Sequence, residues 1–297
     1  MKVLNFGSLN IDYVYKLDHI VEKGETISSE CLQIYPGGKG LNQSVALGKA
    51  GATVYHAGAI GEEGQFLLEC LKEANVNTDF VNVISEEKSG HAIIQNDKDG
   101  ENCILLFGGA NQRITKDQID KTLAHFESGD YLILQNEINE LSYLVEKAYE
   151  KGMKIVLNPS PLDEKILALP LEKIDYFLLN EIEGRQILKA DTEDGEQLLE
   201  QLCEKFPKAH IVLTLGKDGS KYANGTERIS QGIYKVKAVD TTAAGDTFSG
   251  YFIASILEGK EVKEALDIAA KASAIAVSRN GAGVSIPTKE EVKAFQG

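Results

Sequence analysis

Residues 240–250 read Asp-Thr-Thr-Ala-Ala-Gly-Asp-Thr-Phe-Ser-Gly, two aspartates separated by small residues at the entry to a long helical pattern. The first N–H groups of a helix have no partner within it, and small side chains let an anion approach them. The helix dipole adds to the attraction. Asp246, in the first turn, is placed to take a proton from an attacking hydroxyl, while amides near Ala243, Ala244 and Gly245 stabilise a transferring phosphoryl group. Helix capping is the plainer alternative; it accounts for one such residue and not for the Ala-Ala-Gly run between two aspartates.

Further groups with chemical potential sit where apolar runs end. Asn10 and Asp12, in Gly7-Ser-Leu-Asn-Ile-Asp12, lie two residues apart and share a face if extended, so an amide and a carboxylate can hold a polyol there. A solvated turn is the other reading. In Pro36-Gly-Gly-Lys-Gly-Leu-Asn42, glycines allow close backbone approach, Lys39 can counter an anion, and Asn42 is either an N-cap or a ligand-binding amide. Asn180 and Glu183 have the spacing of a capping box. Thr214-Leu-Gly-Lys-Asp-Gly219 is a glycine-rich turn between strands. No G-x-x-x-x-G-K-[ST] occurs and no G-x-G-x-x-G follows the first strand, which disfavours a P-loop NTPase and a dinucleotide-binding dehydrogenase.

Two of these segments resemble the paired signatures of the ribokinase family (PfkB-type carbohydrate kinases): Pro36–Asn42 the N-terminal Gly-Gly signature, Asp240–Gly250 the C-terminal one. They stand in the family's order, and the resemblance runs from Gly7 to Pro287. It implies ATP as phosphoryl donor, Mg²⁺ bridging its phosphates, and a sugar acceptor, ribose by preference. It also implies that Asn10, Asp12, Gly38, Lys39, Asn42, Glu137 and Asp246 surround the sugar. Asn180, Thr214, Gly216, Gly219 and Asn280 are implied at the nucleotide, and Glu183 at Mg²⁺ through water. Asp240, Thr242 and the stretch ending at Ser285 match regions that form a monovalent-cation site, so K⁺ activation is expected. Ile11-Asp-Tyr-Val-Tyr15 is more apolar than a ribose site suggests, which keeps fructose, another sugar or a nucleoside open. Tyr13, Tyr15 and His91 would be the base platform of a nucleoside kinase. A non-catalytic sugar or nucleotide sensor is the alternative from another class, and it would have no use for Asp246.

The elements that must position these residues follow from periodicity. Strand-like runs (Val3–Phe6, Val54–Ala57, Tyr131–Leu134, Ile155–Leu157, Tyr176–Leu179, Ile211–Leu215) alternate with helical patterns (Asn42–Ala50, Gln65–Ala74, Leu141–Lys151, Gly195–Phe206). This predicts a three-layer, doubly wound α/β fold with a mostly parallel sheet, one domain over 1–297. Ala244–Glu258 and Val262–Ser278 are predicted as long helices. Residues 12–35 and 79–107 break the rhythm with β-type runs and a turn signal at Asp97-Lys-Asp-Gly100. They read as a small separate sheet acting as a lid, or else as an elaborated sheet edge. A lid sheet exposed on one face gains by pairing, and a homodimer through the lid is expected.

With 31 Lys and Arg against 45 Asp and Glu, the net charge of −14 disfavours nucleic acid and anionic membranes as partners. The four cysteines form no C-x-x-C pair and read as buried, reduced thiols. No signal peptide or membrane-length apolar run is visible, so a cytoplasmic protein is expected.

Overall fold

The apolar runs become strands and the amphipathic stretches become helices in a computed structural model that describes residues 1–296. The strands are β1 (Val3–Phe6), β2 (Asn10–Lys16), β3 (Cys31–Gly37), β4 (Val54–Ile60), β5 (Asn77–Val83), β6 (Gly90–Asn96) and β7 (Asn102–Phe107). They continue with β8 (Tyr131–Leu134), β9 (Lys154–Leu157), β10 (Tyr176–Asn180), β11 (His210–Thr214), β12 (Ser220–Ala223) and β13 (Arg228–Gln231). The helices are α1 (Lys39–Lys49), α2 (Gln65–Glu73), α3 (Lys116–Leu123), α4 (Leu141–Lys151) and α5 (Glu164–Leu167). After them come α6 (Glu181–Leu188), α7 (Gly195–Lys205), α8 (Ala244–Leu257), α9 (Val262–Val277) and α10 (Lys289–Ala294).

A nine-stranded sheet runs β13-β12-β11-β10-β9-β8-β1-β4-β5, parallel except for the β11-β12-β13 meander at one edge. Alternation along β1 sends Leu4 and Phe6 to one face and Val3 to the other. The first face packs against α3, α4, α5, α6 and α7 through residues such as Ile119, Leu144, Ile166, Ile187 and Leu202. The second packs against α1, α2, α8, α9 and α10 through Val45, Leu67, Phe252, Leu266 and Val292. Helix starts follow local chemistry: Asp194 caps α7 by accepting from the N–H of Glu196 at 2.7 Å and of Gln197 at 3.1 Å.

The second sheet, β3-β2-β6-β7, is the lid. Asp97 closes its β6–β7 hairpin, its Oδ1 accepting from the N–H of Asp99 and of Glu101, each at 2.9 Å. One boundary differs from the sequence reading. Residues 79–83 are not in the lid: they belong to β5, which pairs in parallel with β4 at the edge of the main sheet. Asn-Thr-Asp-Phe-Val-Asn-Val alternates as any half-exposed strand does, and alternation carries no information about which sheet a strand joins. The cysteines also differ from expectation. Cys31 and Cys103 are exposed on lid strands, while Cys70 and Cys203 are half-buried, and all four are free.

Candidate active site

From β1 the chain moves outward to β4 and β5 on one side; from β8 it moves out to β13 on the other. A crevice therefore opens between the carboxyl ends of β1 and β8, the place where open α/β sheets collect ligands. The residues following these two strands meet there. Ser8 donates to Glu137 Oε2, which also accepts the Lys39 N–H at 2.9 Å. Burial pushes the Glu137 carboxyl up, against the pull of Ser8 and Lys39. Burial alone would push the Lys39 ammonium down; the charges of Asp246, Glu137 and Glu183 outweigh it and hold Lys39 above the ordinary lysine range.

Asp246 lies in the first turn of α8, where a negative charge suits the helix dipole. Ala243 precedes the helix in the left-handed region, at φ 60°, and this bends the chain so that Ala244 returns its N–H to Thr241 O at 3.2 Å. The Ala244 amide is thus spent, a correction to the run of free donors expected at 243–245. Among the described residues, the N–H groups of Ala243, Gly245 and Asp246 have no acceptor. The Asp246 carboxylate is held from α1: Asn42 Nδ2 donates to Oδ2 at 3.1 Å and Gln43 Nε2 to Oδ1 at 2.9 Å. Asn42 is therefore not a cap; the residue preceding α1 is Gly38. These contacts depend on the close crossing of α1 and α8. A Cβ at Gly250 would stand 2.4 Å from Ala46 Cβ, so only glycine permits the approach.

Lys39, Asn158, Asn180, Glu183, Thr214 and the 243–246 turn line one cavity of about 200 Å³. Through Thr214, Thr241, Ala244, Gly245 and Phe248 it adjoins a second of about 740 Å³, walled by Ile233, Val236, Ala238, Ala274 and Val277. Polar floor and apolar slot suit a polyphosphate joined to a flat base. Gly216 and Gly219 line the slot. Asn180 and Glu183 form the expected capping box, Asn180 Oδ1 accepting from Glu183 N at 2.9 Å and Glu183 Oε2 from Asn180 N at 3.0 Å. Glu183 Oε1 makes no hydrogen bond among the described residues. Asn280 lines neither cavity and is exposed. Asp240 accepts from Thr242 N at 2.8 Å and Gly281 N at 3.0 Å, tying the 240–242 and 278–285 segments together. Burial pushes Asp240 up, but these hydrogen bonds prevail and leave it below the usual aspartate value. The Ser285 hydroxyl donates to Ala282 O at 2.8 Å.

β2 of the second sheet brings Asn10 and Asp12 beside the crevice, Asp12 within reach of the Glu137 charge. Asn10 Oδ1 accepts from Asn111 Nδ2 at 2.7 Å, and Asn111 Oδ1 accepts from Leu9 N at 3.0 Å, so Asn10 is aimed before any ligand arrives. Burial, then the charge of Glu137, push Asp12 up to about 7. Strand alternation places Ile11, Tyr13 and Tyr15 on the opposite face, where His91 pairs with Ile11 and meets Tyr13 edge-on at 5.9 Å. Three of the large residues of the Ile11–Tyr15 stretch therefore point away from Asp12, and Tyr13 packs on the core. On the Asp12 face the register brings Val14, Ala92 and Ile94 instead.

The model of the "pfkB family carbohydrate kinase" matches residues 1–289. The chain belongs to that family. It is a sugar kinase, a phosphotransferase acting on a hydroxyl group. A ribokinase of Haemophilus influenzae is 34% identical over 97% of this chain and 96% of its own. Among solved structures, a ribokinase of Cryptococcus neoformans var. grubii in complex with ADP superposes with TM-score 0.86 at 34% identity, covering 99% of both chains. A ribokinase of Arabidopsis thaliana complexed with ribose and ATP gives TM-score 0.86 at 29% identity, over 99% of this chain and 97% of that one.

Sequence reading missed several residues that line the kinase's crevice or support it from behind: Ser8, Gln43, Asn111, Gln135 and Asn158. Two carried a local signal. Gly108-Gly-Ala-Asn111 follows directly on a lid strand, and Asn158 ends an apolar run at Asn-Pro-Ser-Pro. Gln43 and Gln135 carried none, since a buried glutamine looks like any other until its partners are known.

Proposed function

We propose that this kinase transfers the γ-phosphoryl group of ATP to a primary hydroxyl of ribose, giving ribose 5-phosphate and ADP. The observation that carries the reading is the Asp246 carboxylate, gripped at 3.1 and 2.9 Å by Asn42 and Gln43 beside the unpaired amides of the α8 turn. Asp246 accepts the proton of the attacking hydroxyl as its oxygen bonds to phosphorus and the bond to the ADP oxygen breaks. The Ala243, Gly245 and Asp246 N–H groups meet the charge on the transferring group, and Lys39 faces it from α1. Asn10, Asp12, Asn42 and Glu137 hold the sugar hydroxyls. Glu183 would hold, through water, a Mg²⁺ brought by the nucleotide, and that ion would supply further charge neutralisation.

Ribose is favoured over a nucleoside because Tyr13, Tyr15 and His91 lie on the lid face away from Asp12. A coupled ADP-release assay over pentoses, hexoses and nucleosides tests this: ribose should show the highest kcat/KM, and a preferred nucleoside would remove the assignment. Asp12 supplies a pH signature. Its pKa of about 7 means that the anion, the form that accepts hydrogen bonds from sugar hydroxyls through both oxygens, is lost below that pH. kcat/KM for ribose should therefore fall below pH 7 by about tenfold per unit and level off above it. Asp12→Asn should lose that limb, and a profile coinciding with wild type would count against Asp12 as a sugar ligand.

K⁺ activation fits the joined 240–242 and 278–285 segments, whose backbone carbonyls remain for a cation once Asp240 and Ser285 have used their side chains on the loops themselves. Equal turnover in Na⁺, K⁺ and a large organic cation would exclude it. The lid exposes Ile34, Ile104, Leu105 and Phe107, each half or more accessible, and pairing of two lids in a homodimer would cover them. Sedimentation should give twice the chain mass. Among the described residues no helix is long and apolar enough to cross a membrane, and action in the cytoplasm is the companion proposal.

A further inference from the structure

Behind Asp246 runs a line of buried polar side chains that touches neither cavity. Gln43 Nε2 donates to Asp246 Oδ1, and Gln43 Oε1 accepts from Gln135 Nε2 at 2.6 Å. The other Gln135 N–H goes to Asn5 Oδ1 at 3.0 Å. Asn5 Nδ2 donates to Gly40 O and to Ser44 Oγ, each at 2.8 Å. Ser44 Oγ lies 2.8 Å from His56 Nδ1, and His56 Nε2 lies 3.2 Å from Gly7 O. Gln43 and Gln135 are each 1% exposed, and Asn5, Ser44 and His56 are fully buried.

The ends of the line dictate the direction of every hydrogen bond in it. The Gly7 carbonyl can only accept, so His56 carries its proton on Nε2 and presents a bare Nδ1 to the Ser44 hydroxyl. Burial keeps the ring neutral, pushing its pKa down to about 4. The Gly40 carbonyl can only accept as well, so Asn5 turns its NH₂ to Gly40 and its oxygen to Gln135. Gln135 must then present its NH₂, and Gln43 must turn its oxygen to Gln135 and its NH₂ to Asp246. Rotating Gln43 by half a turn would set oxygen against carboxylate and NH₂ against NH₂. One cost of this alignment is visible: Gln135 Oε1 is buried with no partner, aimed at Gly7, where a Cβ would stand 2.4 Å away. Leaving a buried carbonyl unpartnered is unfavourable, and such an atom calls for an explanation.

We infer that Gln43 and Gln135 are positioning residues for phosphoryl transfer: an amide relay, locked in one polarity by the β1 and α1 backbone, that aims Asp246 Oδ1 and leaves its remaining lone pairs toward the acceptor hydroxyl. The inference rests on the reading of Asp246 as the base. It makes the orientation of the base a property of the core and not of the bound sugar. The sugar ligands act on KM, whereas the relay acts on the chemical step, where a small misplacement is expensive.

Gln43→Met keeps the volume and removes the donor. It should lower kcat by roughly 10–100-fold while KM for ribose and for ATP stays within about threefold. Gln135→Met, one bond further back, should show the same kcat-only pattern with a smaller loss. In the Asp246→Asn background, Gln43→Met should change residual turnover by less than about twofold, since the relay then has no base to aim. Gln43→Glu separates positioning from packing. Protonated, the introduced acid can donate to Asp246 as the amide does; ionised, it repels. Its kcat relative to wild type should be higher at pH 6 than at pH 8, with melting curves at both values showing the enzyme folded at the assay temperature. If Gln43→Met fails to fold, the near-isosteric Gln43→Glu and Gln135→Met carry the test. Wild-type kcat in Gln43→Met, a change in KM alone, or full additivity with Asp246→Asn overturns the relay. Near-normal kcat in Asp246→Asn itself overturns the reading beneath it, so the two failures are told apart.

Discussion

Asp246→Asn should reduce kcat by about 10³-fold, in the middle of the range that a general base contributes. The substitution keeps size and hydrogen-bonding shape but removes the proton acceptor. One of the two amides that grip the carboxylate, Asn42 at 3.1 Å or Gln43 at 2.9 Å, would then face an NH₂ instead of an oxygen. A stability loss of about 1–2 kcal/mol should accompany the loss of turnover, too little to unfold the enzyme. KM for ATP should hold within a few fold, because the α8 amides and the apolar slot are untouched. Steady-state kinetics with urea denaturation alongside check both numbers, and kcat within tenfold of wild type would remove Asp246 as the base.

The second large effect belongs to a residue with no functional group. Gly250→Val should cost about 3 kcal/mol of stability and lower Tm by roughly 10 °C, the upper range for overpacking a close helix crossing. The Cβ would meet Ala46 Cβ at 2.4 Å and the Leu47 N at 3.0 Å, and backbone cannot move aside as a long side chain can. α1 and α8 would separate, and Asn42 and Gln43 would withdraw from Asp246. A displacement of about 1 Å is enough for a further 10²-fold loss in kcat among molecules that remain folded. Thermal melting and kinetics below the new Tm test this; a variant with wild-type Tm would show that the crossing is looser than its geometry indicates.

Much of the architecture was legible because each strand and helix advertises its own period. Leu141–Lys151 was read to the residue, and β1 and β8 likewise, since their apolar runs are bounded by polar or glycine punctuation. The lid hairpin was legible from Asp97-Lys-Asp-Gly100, whose first side chain closes the turn. The lid boundary was misread because β5 alternates like a lid strand and pairs with β4. Sheet membership is a matter of partners, and partners are not written in a strand's own pattern.

The site divides in the same way. Asp246 in a helix start, the Asn180–Glu183 capping box and the glycine-flanked Lys39 are local arrangements, determined within a few residues by backbone geometry, and the sequence alone places them. Only the tertiary structure decided the rest. It turned Tyr13 and Tyr15 to the lid face opposite Asp12, spent the Ala244 amide on Thr241, and left Asn280 outside both cavities. It also brought Gln43, Gln135 and Asn5 into one line behind Asp246, across separations of up to 203 residues. The physical reason is that a hydrogen bond between buried side chains depends on where two elements cross. That crossing is set by packing over the whole core, here by a glycine that lets α1 touch α8.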